Sequence, residues 1–161
     1  VCYACSAVHL SFSLQDISFG EEKNKTSVWT FIDKLQDVLN SDDNTEGSLP
    51  PVPRRVEQGL AQVGLKIHGV SSPIQAPFTA VGSYVTRMPG HYFILLGNHC
   101  CSAIHKENGQ VLFFDPNYGQ AKFGTSFKAT AAISSFLSDL KIMENYGMAD
   151  GEPALVVRVG L

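Results

Sequence analysis

The feature that most constrains the fold is the pair Asn108-Gly109, which lies between two short apolar runs. The run before it, 100–105, alternates apolar and polar residues, and the run after it, 111–114, is apolar. Because Asn and Gly tolerate positive φ, this pair is typical of a tight β-hairpin. A third apolar run, 92–96, precedes both. Together the three runs predict an antiparallel sheet in the second half of the chain.

Helices are predicted mainly before this sheet. Apolar residues at helical spacing and helix punctuation indicate helices at 2–12, 26–39, 53–63 and 127–140. The last of these has an apolar face that ends at Leu140. Strands are also predicted at 83–86 and 154–159, and a loop rich in Asp, Asn, Gly, Ser and Pro at 41–53. Helices followed by a meandering sheet indicate the α+β class.

Size and charge narrow the function classes. The chain has 161 residues, of which 44% are hydrophobic, which predicts one compact domain over 1–161. Its net charge is −3 and its single adjacent basic pair is Arg54-Arg55, which disfavours nucleic-acid binding. The longest apolar run is of strand length, and no glycine-rich phosphate loop is present, so no cofactor is expected. Since the chain starts at Val1 without methionine, we expect a domain excised or processed from a longer protein.

The cysteines suggest thiol chemistry. The chain has four, Cys2, Cys5, Cys100 and Cys101, in a sequence with enough apolar residues to need no disulfide framework, and we expect reduced thiols. A nucleophilic cysteine needs a lowered pKa, which a helix N-terminus and a nearby imidazolium both favour. Cys2 begins the first predicted helix and is the candidate nucleophile. The alternative is a small buried apolar residue.

A histidine and an aspartate flank the predicted hairpin. His99 opens its first strand and Asp115 ends its second, so antiparallel pairing would make them cross-strand neighbours at one rim of the sheet. Asp115 could then orient His99 as the base for a cysteine. Asp115 also enters a Pro-Asn-Tyr-Gly turn, which it could simply cap.

Two further alternatives concern other histidines and metals. His105 lies on the same strand face as His99 by alternation and is a rival base, although it lies closer to the hairpin turn. The spacing Cys2-x-x-Cys5, with His99 and Cys100 or Cys101, could hold zinc, although the usual second pair of ligands is missing.

Three blocks of the sequence resemble the YopT-type cysteine proteases, which are bacterial effectors with a papain-like fold and a Cys-His-Asp triad. Gly-Asn-His99-Cys-Cys-Ser resembles the histidine block of that family, and Phe-Phe-Asp115-Pro-Asn-Tyr-Gly resembles its aspartate block. Val-Cys2-Tyr-Ala-Cys-Ser6 resembles the nucleophile block, with a serine four residues after the cysteine. The chain order Cys, His, Asp is also similar.

The resemblance implies both fold and activity. It implies a papain-like domain in which Cys2, His99 and Asp115 form the catalytic triad, with no metal or cofactor. It also implies a secreted bacterial effector that acts in the host cytoplasm on a host protein and can cleave its own precursor. A deamidase or transglutaminase acting on glutamine side chains, or an inactive binding module, would fit the same residues. One oxyanion donor is the N–H of Cys2, and the second is expected upstream of Val1.

Overall fold

The structure, a computed structural model, describes residues 2–40, 45, 47, 51–148 and 151–161. Within these residues the helices are α1 Cys2–Leu14, α2 Phe19–Glu22, α3 Thr26–Leu39, α4 Arg54–Gln62, α5 Thr79–Thr86, α6 Ser126–Ser138 and α7 Leu140–Asn145. The strands are β1 Lys66–Val70, β2 Gly90–Leu96, β3 His99–His105, β4 Val111–Asp115, β5 Gly119–Phe123 and β6 Leu155–Gly160. Most of the loop predicted at 41–53 lies outside the described residues.

The six strands form one antiparallel sheet in the order β1-β6-β2-β3-β4-β5. The predicted hairpin joins β3 to β4: the N–H of Lys106 donates to the carbonyl of Gln110 at 2.8 Å, and Gly109 has a φ of +89°. The closing strand, β6, does not lie at an edge but pairs between β1 and β2. The predicted antiparallel sheet and the α+β class are therefore confirmed.

Helices cover both faces of the sheet and enclose two separate cores. Alternate residues of each strand point to opposite faces, so β3 gives Cys100 and Ile104 to one core and Cys101 and Ala103 to the other. The first core is completed by α1, α3 and α4, and the second by α5, α6 and α7. The sheet is thus the middle layer of three.

Helix α1 runs along β3 and is buried on nearly all sides. Three side chains spaced by one turn tie it to that strand or to the turn before it. The Tyr3 hydroxyl donates to the carbonyl of Gly97 at 2.8 Å, the Ser6 hydroxyl donates to the carbonyl of Cys100 at 3.1 Å, and the His9 ring pairs with the Ser102 hydroxyl at 2.9 Å. Because these contacts advance together along both elements, the start of α1 lies at the start of β3.

The prediction of a strand at 83–86 is wrong, because these residues belong to helix α5. Their aromatic and β-branched side chains favour a strand locally, but tertiary packing decides otherwise. Val81 and Val85, four residues apart, are fully buried on one helix face. Gly82 lies against α6, where a Cβ atom would approach the carbonyl oxygen of Thr130 to 3.0 Å. Glycine therefore permits the close contact between the two helices.

The helix predicted at 127–140 is interrupted near its end. Asp139 is extended, with φ −69° and ψ 115°, and its carboxylate accepts hydrogen bonds from the N–H groups of Lys141 and Ile142. It thus ends α6 and caps α7. As a result Leu140 does not join the buried face that holds Ile133 and Leu137, but is 86% exposed.

None of the described helices is long and apolar enough to cross a membrane.

Candidate active site

The candidate site lies at the end of the sheet where β3 begins and β4 ends. The β3–β4 ladder pairs Ser102 with Phe114, so the next position places Cys101 opposite Asp115. His99 lies two residues further along and is not the direct cross-strand partner that the hairpin predicts. Its side chain nevertheless reaches the carboxylate, with Nε2 of His99 3.1 Å from Oδ2 of Asp115. Since a carboxylate only accepts, the Nε2–H group is the donor.

Asp115 is 1% exposed, and its carboxylate accepts hydrogen bonds from four donors. Oδ2 accepts from His99, from the hydroxyl of Tyr146 at 2.7 Å and from the thiol of Cys101 at 3.2 Å. Oδ1 accepts from the backbone N–H of Asn117 at 2.8 Å. Burial alone would raise the pKa of Asp115, but the hydrogen bonds from His99, Tyr146 and Asn117 and the charge of His99 lower it. The group is therefore an anion held in one orientation.

Asp115 makes the contacts that both interpretations require, on different oxygens. Oδ1 caps the turn that follows β4, as an aspartate before Pro-Asn-Tyr-Gly is expected to do. Oδ2 is left free to orient His99. The turn contact fixes the rotation of the carboxylate, so it also fixes the direction of the hydrogen bond to the imidazole.

Tyr146 packs against both His99 and Asp115. Its ring stacks on the His99 ring with centroids 3.8 Å apart and an angle of 18° between planes. Its backbone carbonyl accepts from the N–H of Asn98 at 3.0 Å. Gly97, with φ +53°, makes room for that carbonyl, because a Cβ atom there would lie 2.4 Å from it. Tyr146 therefore contacts the imidazole, the carboxylate and the turn that carries them.

Cys2 is the first residue of α1 and is only partly buried. Burial by itself would raise the pKa of its thiol, but hydrogen bonding to His99 and the charge of the imidazolium lower it overall. The start of α1 is fixed from α3, where Oε1 of the buried Gln36 accepts from the N–H of Ala4 at 3.0 Å. The dipole of α1 further favours a thiolate at this position.

The pKa of His99 is shifted in the opposite direction to that of Cys2. Burial alone would lower its pKa, but hydrogen bonds with Asp115 and Cys2 and the charges of these groups raise it to about 9. Because Nε2 is engaged by Asp115, the ring nitrogen that remains for Cys2 is Nδ1. The arrangement therefore favours a thiolate–imidazolium pair: a charged cysteine at one ring nitrogen and a charged aspartate at the other.

The other three cysteines are poor nucleophiles. Cys100 and Cys101 have no exposed surface, and burial raises the pKa of both thiols well above the ordinary value. Cys5 is 3% exposed, and burial raises its pKa to about 11. All four thiols are free. Cys2 alone combines partial exposure with a lowered pKa.

His99, Cys101 and Asp115 form a cluster whose possible metal-ligating atoms lie within 4.8 Å of one another. A metal would need Cys101 as a thiolate, whereas burial and the nearby Asp115 carboxylate raise the pKa of this thiol, which donates a hydrogen bond to Asp115. These three side chains therefore form a hydrogen-bonded cluster and do not fit a metal site. Cys2 and Cys5 join no group of three or more candidate ligands among the described residues, so the zinc interpretation finds no support there.

The rival base, His105, is engaged elsewhere. Its Nδ1 lies 3.2 Å from the carbonyl of Val85, and its Nε2 lies 3.3 Å from the hydroxyl of Ser126. It is buried near the hairpin end of β3, opposite the end where Cys2 lies. The structure therefore brings His99, and not His105, to the thiol.

The sequence did not point to Tyr146 or Gln36. Tyr146 ends α7 next to Gly147, which has φ +72°, so its position signals only a helix stop. Gln36 is a buried polar residue on an otherwise apolar helix face, and such a residue signals a required partner without saying which one.

Comparison with known proteins supports the fold. No family model matches the chain, and no curated protein matches it. Among solved structures, the chain is similar to the crystal structure of the Pseudomonas avirulence protein AvrPphB, with 18% sequence identity and a TM-score of 0.63. The match covers 99% of this chain and 91% of that chain. At this identity the likeness shows a shared fold, and the predicted papain-like α+β architecture is confirmed.

Proposed function

We propose that this chain is a cysteine protease in which Cys2 is the nucleophile, His99 the general base and acid, and Asp115 the group that orients His99. The observation that carries the proposal is the convergence of the three side chains at one end of the sheet. There the pKa of Cys2 is lowered and the pKa of His99 is raised to about 9. These opposed shifts are what a thiolate–imidazolium pair requires.

The proposed reaction follows from these positions. The Cys2 thiolate attacks the carbonyl carbon of a peptide bond and forms a tetrahedral oxyanion. The backbone N–H of Cys2, which has no helical partner at the start of α1, donates to that oxygen. His99 then gives the proton on Nδ1 to the leaving amine as the carbon–nitrogen bond breaks. Finally His99 takes a proton from water, which attacks the thioester and releases the acid and the thiolate.

Asp115 has a supporting role in each step. Its negative charge stabilises the imidazolium, and its Oδ2 keeps the Nε2–H group pointed away from the substrate. Cys101 and Tyr146 hold the same oxygen in place. The second oxyanion donor, expected upstream of Val1, stays a prediction.

The biological setting is part of the same proposal. The resemblance to YopT-type proteases and the structural likeness to an avirulence protein support a bacterial effector whose substrate is a host protein. We further propose that residues 1–161 form one papain-like domain of a longer protein and that the substrate is met in the host cytoplasm.

Incubation with a proteome-derived peptide library, followed by mass spectrometry, tests the reaction. We expect new peptide termini that appear with the wild-type chain and disappear with Cys2→Ala, while Cys5→Ala, the matched control one turn further along α1, retains cleavage. A gain of about 1 Da on glutamine without cleavage would indicate a deamidase instead. No Cys2-dependent product of any kind would indicate a binding module.

A further inference from the structure

A second apolar feature borders the candidate site and has no role in the triad. It is a groove of about 250 Å³ between the edge strand β5 and helix α6. Six large or apolar side chains line most of it: Phe113, Tyr118, Ala121, Phe123, Ile133 and Phe136. Asp115 also borders the groove, so the groove adjoins the buried His99–Asp115 pair.

The groove is accessible from solvent. Tyr118 is 66% exposed, and residues 119–122 of β5 are exposed along its rim. No described strand pairs with the outer edge of β5. Tyr118 and Phe113 each pack edge-on against Phe136, with ring centroids 5.6 and 5.7 Å apart, so aromatic rings shape the walls. An exposed apolar groove with ordered aromatic walls beside a catalytic site suits an apolar side chain of a substrate.

The chemistry determines which part of the substrate reaches this groove. His99 must protonate the leaving amine, so the segment that follows the scissile bond lies on the His99 side of Cys2. The His99 ring separates Cys2 from Asp115, because Nε2 faces Asp115 and Nδ1 faces Cys2. A groove bordered by Asp115 therefore lies beyond His99, on the leaving-group side.

The spacing between neighbouring strands gives the distance from His99 to the groove. His99 is on β3 and the groove borders β5, two strands away, which corresponds to about 10 Å. An extended peptide advances about 3.3–3.6 Å per residue. The groove therefore lies at roughly the third or fourth residue after the scissile bond.

We propose that the groove between β5 and α6 binds an apolar side chain of the protein substrate, roughly three or four residues after the scissile bond. The inference rests on the proposed protease function and adds a substrate class to it: a protein segment with an apolar residue on the leaving-group side. Such a contact supplies specificity at a distance from the reacting atoms and helps to hold the segment extended across the triad.

Two neighbouring alanines of α6 provide a matched test. Ala132 lines the groove and is half-buried, whereas Ala131 is exposed and does not line it. Ala132→Leu fills the groove, and Ala131→Leu adds the same side chain outside it. The probe is the proteome-derived peptide library, followed by synthetic peptides that carry leucine or alanine at the mapped position.

With the wild-type chain we expect apolar residues to be enriched at the third or fourth position after the cleaved bond. Ala132→Leu should lose this enrichment and cleave the leucine peptide about tenfold more slowly, with little change for the alanine peptide. Ala131→Leu should behave as wild type. Alkylation of Cys2 by iodoacetamide should be the same in all three.

Other results would overturn the inference. Enrichment confined to residues before the cleaved bond, or equal effects of the two leucine variants, would contradict the groove while leaving the protease function intact. Absence of any Cys2-dependent cleavage would instead contradict the protease function itself, and with it the substrate assigned to the groove.

Discussion

The phenol ring of Tyr146 lies flat on the imidazole of His99, with centroids 3.8 Å apart, while its hydroxyl donates to the same Asp115 oxygen that His99 contacts. One side chain thus restrains both members of the His–Asp pair. A hydrogen bond to a buried charged group contributes about 1.5–3 kcal/mol, and aromatic stacking adds about 1 kcal/mol. Both contributions can be removed separately.

Tyr146→Phe keeps the ring and removes the hydroxyl. We expect the free energy of unfolding to fall by about 1–2 kcal/mol, because Oδ2 of Asp115 loses its shortest hydrogen bond. We also expect alkylation of Cys2 to slow by less than tenfold, whereas Tyr146→Ala, which also removes the stacking, should slow it further. Urea unfolding and alkylation rates measure the two effects. Tyr118→Phe is the control, since Tyr118 is exposed, and equal behaviour of the two phenylalanine variants would contradict a positioning role for Tyr146.

The charge of Asp115 should control the pH at which Cys2 ionises. In the wild-type chain Asp115 keeps His99 charged up to a pKa of about 9, and charged His99 lowers the pKa of the thiol. Asp115→Asn should let the pKa of His99 fall towards its ordinary value. The pH midpoint of Cys2 alkylation should then move upward by about one unit or more.

The control for this experiment is Asp37→Asn, which neutralises an exposed carboxylate on α3. Its alkylation profile should match that of the wild-type chain. A midpoint that moves downward in Asp115→Asn, or does not move, would show that Asp115 does not act through His99.

Replacement of single cysteines should distinguish the two thiols near His99. Iodoacetamide should modify Cys2 in the native wild-type chain, because its thiol is partly exposed and its pKa is lowered. Cys2→Ala should abolish native labelling. Cys101→Ser should retain labelling of Cys2, since serine can still donate to Asp115. If peptide mapping by mass spectrometry found the label on Cys101, the result would contradict the proposal that Cys2 is the nucleophile.

His9 should make the fold sensitive to acid, independently of the triad. It is 4% exposed and stacks on Phe114, with ring centroids 4.5 Å apart, and burial lowers its pKa from 6.5 to about 4. The unfolded state therefore takes up the proton first as the pH falls. The contribution of neutral His9 is complete above about pH 6.5 and decreases between there and about pH 4.

Between pH 7 and pH 5 this group should cost about 2 kcal/mol of unfolding free energy, measured by urea unfolding at both values. His9→Gln should be less stable at pH 7 but should lack this part of the pH dependence. His68→Gln, at an exposed position of β1, should keep it. Equal pH dependence in the wild-type chain and in His9→Gln would refute the role of His9.

Local sequence patterns predicted strands in the middle of the sheet but neither of its two edge strands, β1 and β5. Asn108-Gly109 defined the hairpin because Gly109 takes the positive φ of the turn and the Asn108 side chain accepts a hydrogen bond from the N–H of Gln110. The edge strand β5 was missed, since four of the five residues of Gly119–Phe123 are exposed and Phe123 is its one large apolar residue. β1 was missed as well, since none of its five residues is fully buried and a bulge interrupts its pairing with β6. Helix α5 was mistaken for a strand because its conformation is set by packing against α6 rather than by the propensities of residues 83–86.

The candidate site divides in the same way. The hairpin alone indicated that His99 and Asp115 lie near one rim, although their contact is diagonal rather than between paired positions. The placement of Cys2 depends on how α1 lies along β3, which three separate side-chain contacts determine. Tyr146 could not be predicted, because its contact with His99 exists only once α7 has packed against the turn at Gly97.

The sheet that separates the two cores also separates the helices that hold the candidate site. Cys2 is held by α1 in one core, whereas the residue that stacks on His99 is held by α7 in the other. Reactivity of the thiol therefore reports on the alignment of two helical layers, and not on either layer alone. A local opening that lets α1 shift along β3 would move Cys2 away from His99 and lower the reactivity of the thiol, while the sheet remained folded. Inactivation would then precede global unfolding.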